Sequence, residues 1–458
     1  MTTMGADLLD TIIGFASMSL PYLALPPLPS VDLTVEGGLS SLYALVDISP
    51  AFLLGFLVFL AIVRFLKLAS STEKAQITTA VKYGERMRRV LMDMPILNEV
   101  YRPPWLWGRS GHLQTAAYGL LGHATLKRTA DRRIVVKQPD GASLTFDVFE
   151  PLAKHPSGLD ITLCLTPGIA NSSESNYIRT CVHYAQEAGY RCAVLNHLGA
   201  LDGVPLTSPR IFSYGGTSDL HSMVSHLSSA YPNTKFISIG FSMGGNITTK
   251  FIIESDEKLR SRIIFGLSVC QGYSATNSVH MYHDWENSRR AYNYVITENM
   301  KRLLRRNYDQ AVAPYVENGV VDEQRLWSST SIVALDELYN RRVNGFDSLE
   351  SFYQWCSCLP LLDNLKVPMI FFNAQDDPII PRSLWEPVKV VNRFHLLPTV
   401  ILSQKLASHK EDVAFITTKH GGHLGFLEGS SFAPKSVTWI DRFIVQMCDS
   451  AVRVYGLK

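Results

Sequence analysis

The chain has 458 residues, of which 43 are lysine or arginine and 41 are aspartate or glutamate, so its formal net charge is +2. This near balance argues against a nucleic-acid partner, because proteins that bind nucleic acids usually carry a strong basic excess. Hydrophobic residues make up 46% of the chain and charged residues only 18%, which excludes a largely disordered protein.

The first 95 residues are predicted to form an N-terminal leader with a membrane anchor at about residues 48–66. The anchor begins with a run of uncharged, mostly apolar residues from Ile48 to Val63. As a helix this run would measure about 24 Å, slightly less than a hydrocarbon layer of about 30 Å. Snorkelling by Arg64 and Lys67 would extend it to a single-pass span. The alternative is a buried hydrophobic helix that packs on the globular domain.

The charges on either side of this run predict which side of the membrane the chain occupies. Residues 1–60 contain five acidic residues and no lysine or arginine, whereas basic residues begin at Arg64. By the positive-inside rule, this asymmetry places the bulk of the protein in the cytosol. A secretory signal peptide fits poorly, because such a peptide has a basic start. The earlier apolar stretch at residues 8–28 is interrupted by prolines and is predicted to be re-entrant or interfacial.

Alternating strand and helix patterns follow from about residue 96. Short apolar and β-branched runs predict eight strands at 133–138, 144–149, 161–165, 192–196, 236–240, 263–268, 369–373 and 413–417. Helical patterns lie between several of these runs, as at Tyr177–Ala188 and Asn246–Glu254. The alternation predicts an α/β fold with a mostly parallel central sheet, formed by residues 96–272 and 356–458.

One stretch, residues 273–355, interrupts the alternation. It contains long polar and aromatic helical patterns without a convincing core strand, so we interpret it as an inserted helical cap. Its basic residues have two interpretations, a solvated helix face or a surface for anionic lipid headgroups. These residues are Arg289, Arg290, Lys301, Arg302, Arg305 and Arg306.

A GxSxG motif, GFSMG at residues 240–244, follows the predicted strand 236–240 and precedes a helical pattern. Strand, turn and helix in this order are the context of a nucleophile elbow, in which the central serine sits on a strained turn. The flanking glycines let the strand and the helix approach closely. Ser242 is therefore the candidate nucleophile.

A serine nucleophile needs a base, and the base needs an orienting carboxylate. Asp377 follows the strand 369–373 in NAQDDPIIP, and His423 follows the strand 413–417 in HGGHLGF. The order Ser242, Asp377, His423 is that of the α/β-hydrolase fold, which is therefore the predicted fold.

Both partners of the serine have a neighbouring alternative. Asp376 precedes Asp377, although Pro378 pushes Asp377 toward extended geometry, which suits a side chain projecting from a strand end. His420 is separated from His423 by two glycines, and such a loop can present either ring. On the residues alone, both histidines stay open.

An oxyanion hole needs two backbone N–H donors. Met243, directly after the nucleophile, is the first candidate. The second comes from the loop after the strand 161–165, where Ile169 is favoured and Gly168 is the alternative.

Other candidates for chemistry are weaker. His197 and Asp202 match HxxxxD, a spacing used by some acyltransferases, but chance matches are frequent. Seven cysteines without a CxxC pair indicate neither a disulfide scaffold nor a zinc site. The serine chemistry requires no metal or organic cofactor.

Six segments together resemble the YheT-like family of α/β-hydrolase-domain lipases. They are PPWLWGRSGHLQT, DGASLTFDVFEP, LTPGIANSSESNYIRTCVHYAQEAGYRCAVLNHLGAL, GFSMGGN, NAQDDPIIP and HGGHLGF, and the resemblance spans roughly residues 95–445. It implies that Ser242 is the nucleophile, Asp377 the acid and His423 the base.

The resemblance also implies a function. It implies hydrolysis of monoacylglycerols, including arachidonoylglycerol, and of related esters, with a steroid hormone as regulator. The predicted location is a membrane, either the plasma membrane or the endoplasmic reticulum. The resemblance further implies a catalytic domain outside the cytosol, opposite to the side that the charges predict, so the side stays open. A non-catalytic receptor or scaffold and an acyltransferase are the alternative functions.

Overall fold

The computed structural model of the chain describes residues 50–79, 84–121, 129–281, 289–389, 411–430 and 432–456. They fall into two compact units, the first ending at Ala69 and the second beginning at Ser70. The strands are β1 (Gln76–Thr79), β2 (Arg132–Lys137), β3 (Ser143–Phe149), β4 (Ile161–Thr166), β5 (Arg191–Asn196), β6 (Lys235–Phe241), β7 (Ile263–Val269), β8 (Met369–Ala374) and β9 (Val413–Thr418).

The helices connect and flank these strands. They are α1 (Pro50–Phe65), α2 (Glu85–Met92), α3 (Gly111–Leu121), α4 (Asn176–Glu187), α5 (Ser218–Ala230), α6 (Met243–Glu254), α7 (Glu257–Arg260), α8 (Ala275–Met281), α9 (Arg289–Arg306), α10 (Tyr308–Ala311), α11 (Ala313–Glu317), α12 (Glu323–Ser328), α13 (Ile332–Leu335), α14 (Arg341–Val343), α15 (Leu349–Cys356), α16 (Arg382–Lys389) and α17 (Trp439–Tyr455). Single turns of other helical types lie at Pro95–Asn98, Asp336–Asn340 and Leu359–Asn364.

In the first unit, α1 lies within the predicted anchor at residues 48–66. Its sixteen residues are all solvent-exposed or nearly so, and none is buried. At about 1.5 Å per residue the helix measures about 24 Å, less than a hydrocarbon layer of about 30 Å. No helix in the described part of the chain is both long and apolar enough to cross a bilayer. The stretch at residues 8–28 lies outside the described residues.

The second unit contains one nine-stranded sheet in the order β1-β9-β8-β7-β6-β4-β5-β3-β2. Strands β4 to β9 run parallel, while β1 pairs antiparallel with β9 and β3 pairs antiparallel with β2 and β5. The eight predicted strands are all present, and the predicted α/β fold with a mostly parallel sheet is confirmed.

Burial of both sheet faces explains the apolar strand sequences. Every residue of β4, β7, β8 and β9 is buried, as expected for parallel strands covered by helices on both sides. One core joins the sheet to α2, α4 and α17, and the other joins it to α5, α6 and α9. The parallel arrangement brings the carboxyl ends of the strands to one edge of the sheet.

The sheet-forming unit begins before the predicted domain boundary at residues 95/96. β1 pairs with β9, and the Ser450 hydroxyl on α17 donates a hydrogen bond of 3.0 Å to the Val90 carbonyl on α2. The Gln446 side chain accepts a hydrogen bond of 2.9 Å from the Ile96 N–H. The predicted boundary therefore falls inside the compact unit that starts at Ser70.

Between β7 and β8, the described residues form helices α8 to α15 and no strand. Two of the basic residues in this segment, Arg289 and Lys301, are buried, so the predicted solvated face is wrong for them. Lys301 instead donates hydrogen bonds from Nζ to the carbonyl oxygens of Trp327, at 3.1 Å, and Ser329, at 2.8 Å. Burial of the Lys301 ammonium group is possible because these carbonyls and the Glu298 carboxylate replace water around it.

A buried carboxyl group, that of Asp336, joins parts of this helical segment to one another and to Tyr214, which lies between β5 and α5. It accepts hydrogen bonds from Tyr214 Oη at 2.9 Å, Asn340 Nδ2 at 2.5 Å and Tyr353 Oη at 2.7 Å. Burial raises the pKa of Asp336 to about 7, against the lowering effect of these hydrogen bonds. The protonated form is therefore favoured on folding.

Asp336→Asn is expected to flatten the pH dependence of stability. Because the pKa of Asp336 is higher in the folded than in the unfolded chain, its contribution to stability is present below about pH 4 and is lost as the pH rises to about 7. The free energy of unfolding of the wild type should fall over this range by up to roughly 4 kcal/mol relative to the variant. Denaturant unfolding from pH 4 to 8 measures this, with the exposed Asp347→Asn as control, and an unchanged pH slope in Asp336→Asn would contradict the prediction.

Candidate active site

Ser242 lies between the end of β6 and the start of α6, as the GxSxG motif predicts. Its backbone has φ 54° and ψ −122°, a conformation that is strained for a residue with a side chain. A Cβ atom added to Gly240 would lie 2.1 Å from the Gly244 carbonyl oxygen, and one added to Gly244 would lie 2.1 Å from the Thr166 carbonyl oxygen. Only glycine at both positions allows β6, α6 and the end of β4 to approach this closely.

The structure brings the three predicted triad residues into a chain of contacts. His423 Nε2 is 2.8 Å from Ser242 Oγ, and His423 Nδ1 is 2.8 Å from Asp377 Oδ2. A carboxylate oxygen accepts hydrogen bonds, so Nδ1 carries the hydrogen and Nε2 is left to accept the serine hydroxyl proton. The side chains of His423 and Asp377 are 6% and 0% exposed, which keeps competing water away from their contact.

The Asp377 carboxylate is itself held by the backbone that follows it. Its Oδ1 accepts hydrogen bonds from the N–H groups of Ile379, at 2.8 Å, and Ile380, at 2.9 Å. These two bonds leave Oδ2 directed at the imidazole.

The two alternative residues, Asp376 and His420, lie beside this chain of contacts. Asp376 Oδ2 is 3.5 Å from His420 Nδ1, and Asp376 Oδ1 accepts a hydrogen bond from the Gly422 N–H. Within the described residues, neither side chain bonds to Ser242.

The loop after β4 approaches the serine closely. A Cβ atom on Gly168 would lie 3.4 Å from Ser242 Cβ. The Gly168 N–H donates a hydrogen bond of 2.9 Å to Tyr177 Oη, so this donor is already engaged. Among the described residues no acceptor is bonded to the Ile169 N–H, which favours Ile169 over Gly168. Met243 is the first residue of α6, so its N–H has no partner within the helix.

The HxxxxD pair is not brought together. His197 is buried and donates from Nε2 to the Pro167 carbonyl oxygen at 2.9 Å, and burial lowers its pKa, so the ring is neutral. Asp202 is exposed and forms an ion pair with Arg306. His197 therefore supports the loop after β4 and does not act with Asp202.

Sequence reasoning missed the contribution of α3. Thr115 Oγ1 accepts a hydrogen bond of 2.8 Å from the His423 N–H and donates one of 2.7 Å to the Gly111 carbonyl. A Cβ atom on Gly111 would lie 1.9 Å from the Asp376 carbonyl oxygen, so the start of α3 packs directly on the acidic loop. The only signal in the sequence was the family resemblance of PPWLWGRSGHLQT, which contains both residues.

Two tyrosines lie near enough to the Asp377 carboxylate to be affected by its charge. Burial, and then the negative charge of Asp377, raises the pKa of Tyr118 on α3 and of Tyr292 on α9 to about 12. Tyr292 Oη is also 3.0 Å from His112 Nδ1, and the two rings stack. The helical segment between β7 and β8 therefore reaches the neighbourhood of the acid.

The described residues contain no group of three or more His, Cys, Asp or Glu side chains arranged to hold a metal ion. The seven cysteines are buried and unpaired with one another. Burial raises the pKa of the Cys270 thiol, which follows β7 near Asp377, so it is protonated at neutral pH.

Comparison with known proteins identifies the family to which the chain is related. A family model of the α/β-hydrolase fold matches residues 161–430. Abhydrolase domain-containing protein 2 of Drosophila melanogaster is 41% identical over 79% of this chain and 87% of its own length. Human monoacylglycerol lipase ABHD2 is 40% identical over 79% of this chain and 83% of its own length. A solved esterase structure from Pyrococcus furiosus has TM-score 0.42 and 12% identity, covering 71% of this chain and 91% of that chain.

The strain at Ser242 leads to a prediction about stability. Ser242→Gly and Ser242→Ala both remove the hydroxyl, but only glycine relieves the positive φ. Glycine also loses more backbone entropy on folding than alanine does, which offsets part of this gain. We therefore expect Ser242→Gly to be more stable than Ser242→Ala by about 1 kcal/mol in denaturant unfolding.

The same pair of substitutions at Ser238 is the matched control, because Ser238 is a buried serine within the strand β6. There the glycine variant should be the less stable of the two. Equal stability of the two Ser242 variants would contradict the strain argument.

Proposed function

We propose, since this chain belongs to the α/β-hydrolase family, that it is a serine hydrolase that cleaves lipid carboxylic esters. Within that family, its relatives at about 40% identity are named monoacylglycerol lipase ABHD2, so the substrate class we propose is monoacylglycerol. The products are a free fatty acid and glycerol. The observation that carries the proposal is the unbroken contact from Asp377 through His423 to Ser242, with 2.8 Å at each step.

In the first half-reaction, His423 Nε2 accepts the proton of the Ser242 hydroxyl as Oγ attacks the ester carbonyl carbon. The carbonyl π electrons move to oxygen and give a tetrahedral oxyanion, which the N–H groups of Met243 and Ile169 bind. Collapse of this intermediate breaks the bond to the glycerol oxygen, and His423 donates its proton to that leaving group. An acyl-Ser242 ester remains.

In the second half-reaction, His423 accepts a proton from water, and the resulting hydroxide attacks the acyl carbon. Collapse releases the fatty acid and returns the proton from His423 to Ser242 Oγ. Throughout, Asp377 fixes the imidazole with Nδ1 protonated and stabilises the imidazolium. No cofactor takes part in either half-reaction.

Residues 273–355 serve as the cap of this site in the proposal. The contact between Tyr292 on α9 and His112 on α3 supports this role, because the start of α3 packs on the acidic loop. A cap would limit the access of bulk water to the acyl-enzyme and would line the path of an apolar acyl chain.

Ser242→Ala is expected to abolish monoacylglycerol hydrolysis, with kcat falling by at least about 10³-fold, because no other group replaces the nucleophile. Labelling by a fluorophosphonate should be lost in the same variant. Fatty-acid release from a panel of monoacylglycerols, measured beside labelling, provides the test.

The matched control is Ser238→Ala, a buried serine on the same strand, which should be labelled and active like the wild type. Labelled Ser242→Ala would sink the assignment of the nucleophile. An inactive, unlabelled wild type favours a non-catalytic receptor or scaffold, whereas ester products with an added alcohol acceptor favour an acyltransferase.

The proposal also places the enzyme at a membrane, through α1. Phe52, Leu54, Phe59 and other large apolar side chains of α1 are exposed, and Arg64 lies at its carboxyl end. A bilayer would bury this surface and supply the lipid substrate. Steroid regulation and the side of the membrane stay predictions.

Leu57→Glu together with Leu60→Glu is expected to release the protein from membranes. Each carboxylate at the centre of an inserted helix costs about 3 kcal/mol. Extraction of membranes at alkaline pH, followed by immunodetection in pellet and supernatant, measures the shift. Met92→Glu, at an exposed apolar residue of α2, is the control and should stay in the pellet. Retention of the double variant in the pellet would refute attachment through α1.

A further inference from the structure

Asp376 and His420 form a second acid–histidine contact beside the proposed triad. Asp376 Oδ2 is 3.5 Å from His420 Nδ1, an ion pair when the ring is protonated, and the side chains are 5% and 3% exposed. The neighbouring Asp377 and His423 make their own contact at 2.8 Å. Each of two adjacent acids therefore faces one of the two histidines of the HGGH sequence at residues 420–423.

Asp376 also holds the backbone that carries His423. Its Oδ1 accepts a hydrogen bond of 2.8 Å from the N–H of Gly422, the residue directly before His423. Asp376 thus contacts both ends of the tripeptide 420–422, at the ring of its first residue and the amide of its last. A displaced Asp376 carboxylate would shift the peptide that joins Gly422 to His423.

Close packing fixes the conformation of the two glycines in this loop. Gly421 has φ 145° and Gly422 has φ 57°, values that favour glycine. A Cβ atom on Gly421 would lie 2.2 Å from the Phe426 ring, and one on Gly422 would lie 2.4 Å from the Gly111 carbonyl oxygen. Packing therefore restricts the loop to a narrow range of conformations, and the Asp376 hydrogen bond to the Gly422 N–H acts within that range.

The other ring nitrogen of His420 contacts the beginning of the second compact unit. His420 Nε2 is 3.0 Å from the Ser71 carbonyl oxygen and 3.2 Å from Ser70 Oγ. A carbonyl oxygen only accepts hydrogen bonds, so Nε2 is the donor to Ser71. Lys419 Nζ adds a hydrogen bond of 2.6 Å to Ser71 Oγ. His420 is thereby tied to the Ser71 carbonyl through Nε2, while its Nδ1 faces the Asp376 carboxylate and pairs with it when the ring is protonated.

We infer that Asp376 and His420 are positioning residues for His423. They act through the Gly422 amide and the Ser71 carbonyl, and they keep the His423 ring aligned with Asp377 Oδ2 and Ser242 Oγ. The inference rests on the proposed function, because it takes His423 as the base.

Steady-state kinetics of the full chain on a monoacylglycerol tests the role of Asp376. Asp376→Ala removes the acceptor of the Gly422 N–H, and kcat should fall by about 10- to 100-fold with KM within about twofold, since misaligned reacting groups lower kcat. Asp376→Asn keeps an oxygen acceptor and should recover a large part of kcat. Gln375→Ala is the matched control, because the Gln375 side chain bonds to Thr417 Oγ1 on β9 and not to residues 420–422, and its kcat should equal that of the wild type.

A second pair of variants tests His420. His420→Gln keeps an N–H donor for the Ser71 carbonyl, whereas His420→Phe has none, so kcat should be lower in His420→Phe. In the double variant Asp376→Ala/His420→Phe, the loss in kcat should be smaller than the product of the two single losses, because both residues hold the same loop.

Wild-type kcat in both Asp376→Ala and His420→Phe would overturn the inference and leave the proposed function intact. A higher KM with unchanged kcat would overturn it as well, because it would place the pair in substrate binding. Should Asp376→Ala fail to give a cooperative unfolding transition, the two His420 variants decide, and equal kcat in them refutes the inference. A wild type without hydrolysis refutes the proposed function itself.

Discussion

The active site depends on the close approach of three backbone segments at the end of β6. The first turn of α6 and the loop after β4 both come within about 2 Å of where a side chain on Gly240 or Gly244 would begin. Ser242 lies at this contact with φ 54°, and its hydroxyl oxygen is 2.8 Å from His423 Nε2. The loop after β4 is itself held by two hydrogen bonds, from the Gly168 N–H to Tyr177 Oη and from His197 Nε2 to the Pro167 carbonyl oxygen.

The parallel sheet supplies the remaining groups. β6, β8 and β9 point the same way, so Ser242, Asp377 and His423 emerge from one edge although they are far apart in sequence. Around them, charges are satisfied by fixed partners, as in the Asp377 bonds to the Ile379 and Ile380 amides. Polar groups held in this way have little left to rearrange during a reaction.

The strands and the reactive residues were predictable because their signals are local. Buried parallel strands are apolar throughout, and the GxSxG turn needs glycine at particular places, so eight strands and the position of Ser242 follow from short windows of sequence. The order of Asp377 and His423 along the chain is the one that the α/β-hydrolase fold predicts. By contrast, residues alone could not choose between His420 and His423, because their different partners lie on distant segments.

The features that sequence reasoning missed are those that need long-range contacts. β1 has the sequence QITT, which is short and half polar, and it is a strand only because β9 pairs with it. Thr115 has no motif of its own and bonds to a histidine amide 308 positions along the chain. Lys301 and Asp336 look like surface residues in the sequence, yet both are buried among hydrogen-bonding partners.

The small strand β1 has a consequence for handling the protein. It covers one side of β9, whose backbone N–H and C=O groups would otherwise be bare. Open edges of this kind recruit strands from other molecules and start aggregation. A shortened chain that begins at residue 96 would lack this cover, so low solubility of such a fragment would reflect a missing edge strand and not an unstable catalytic centre.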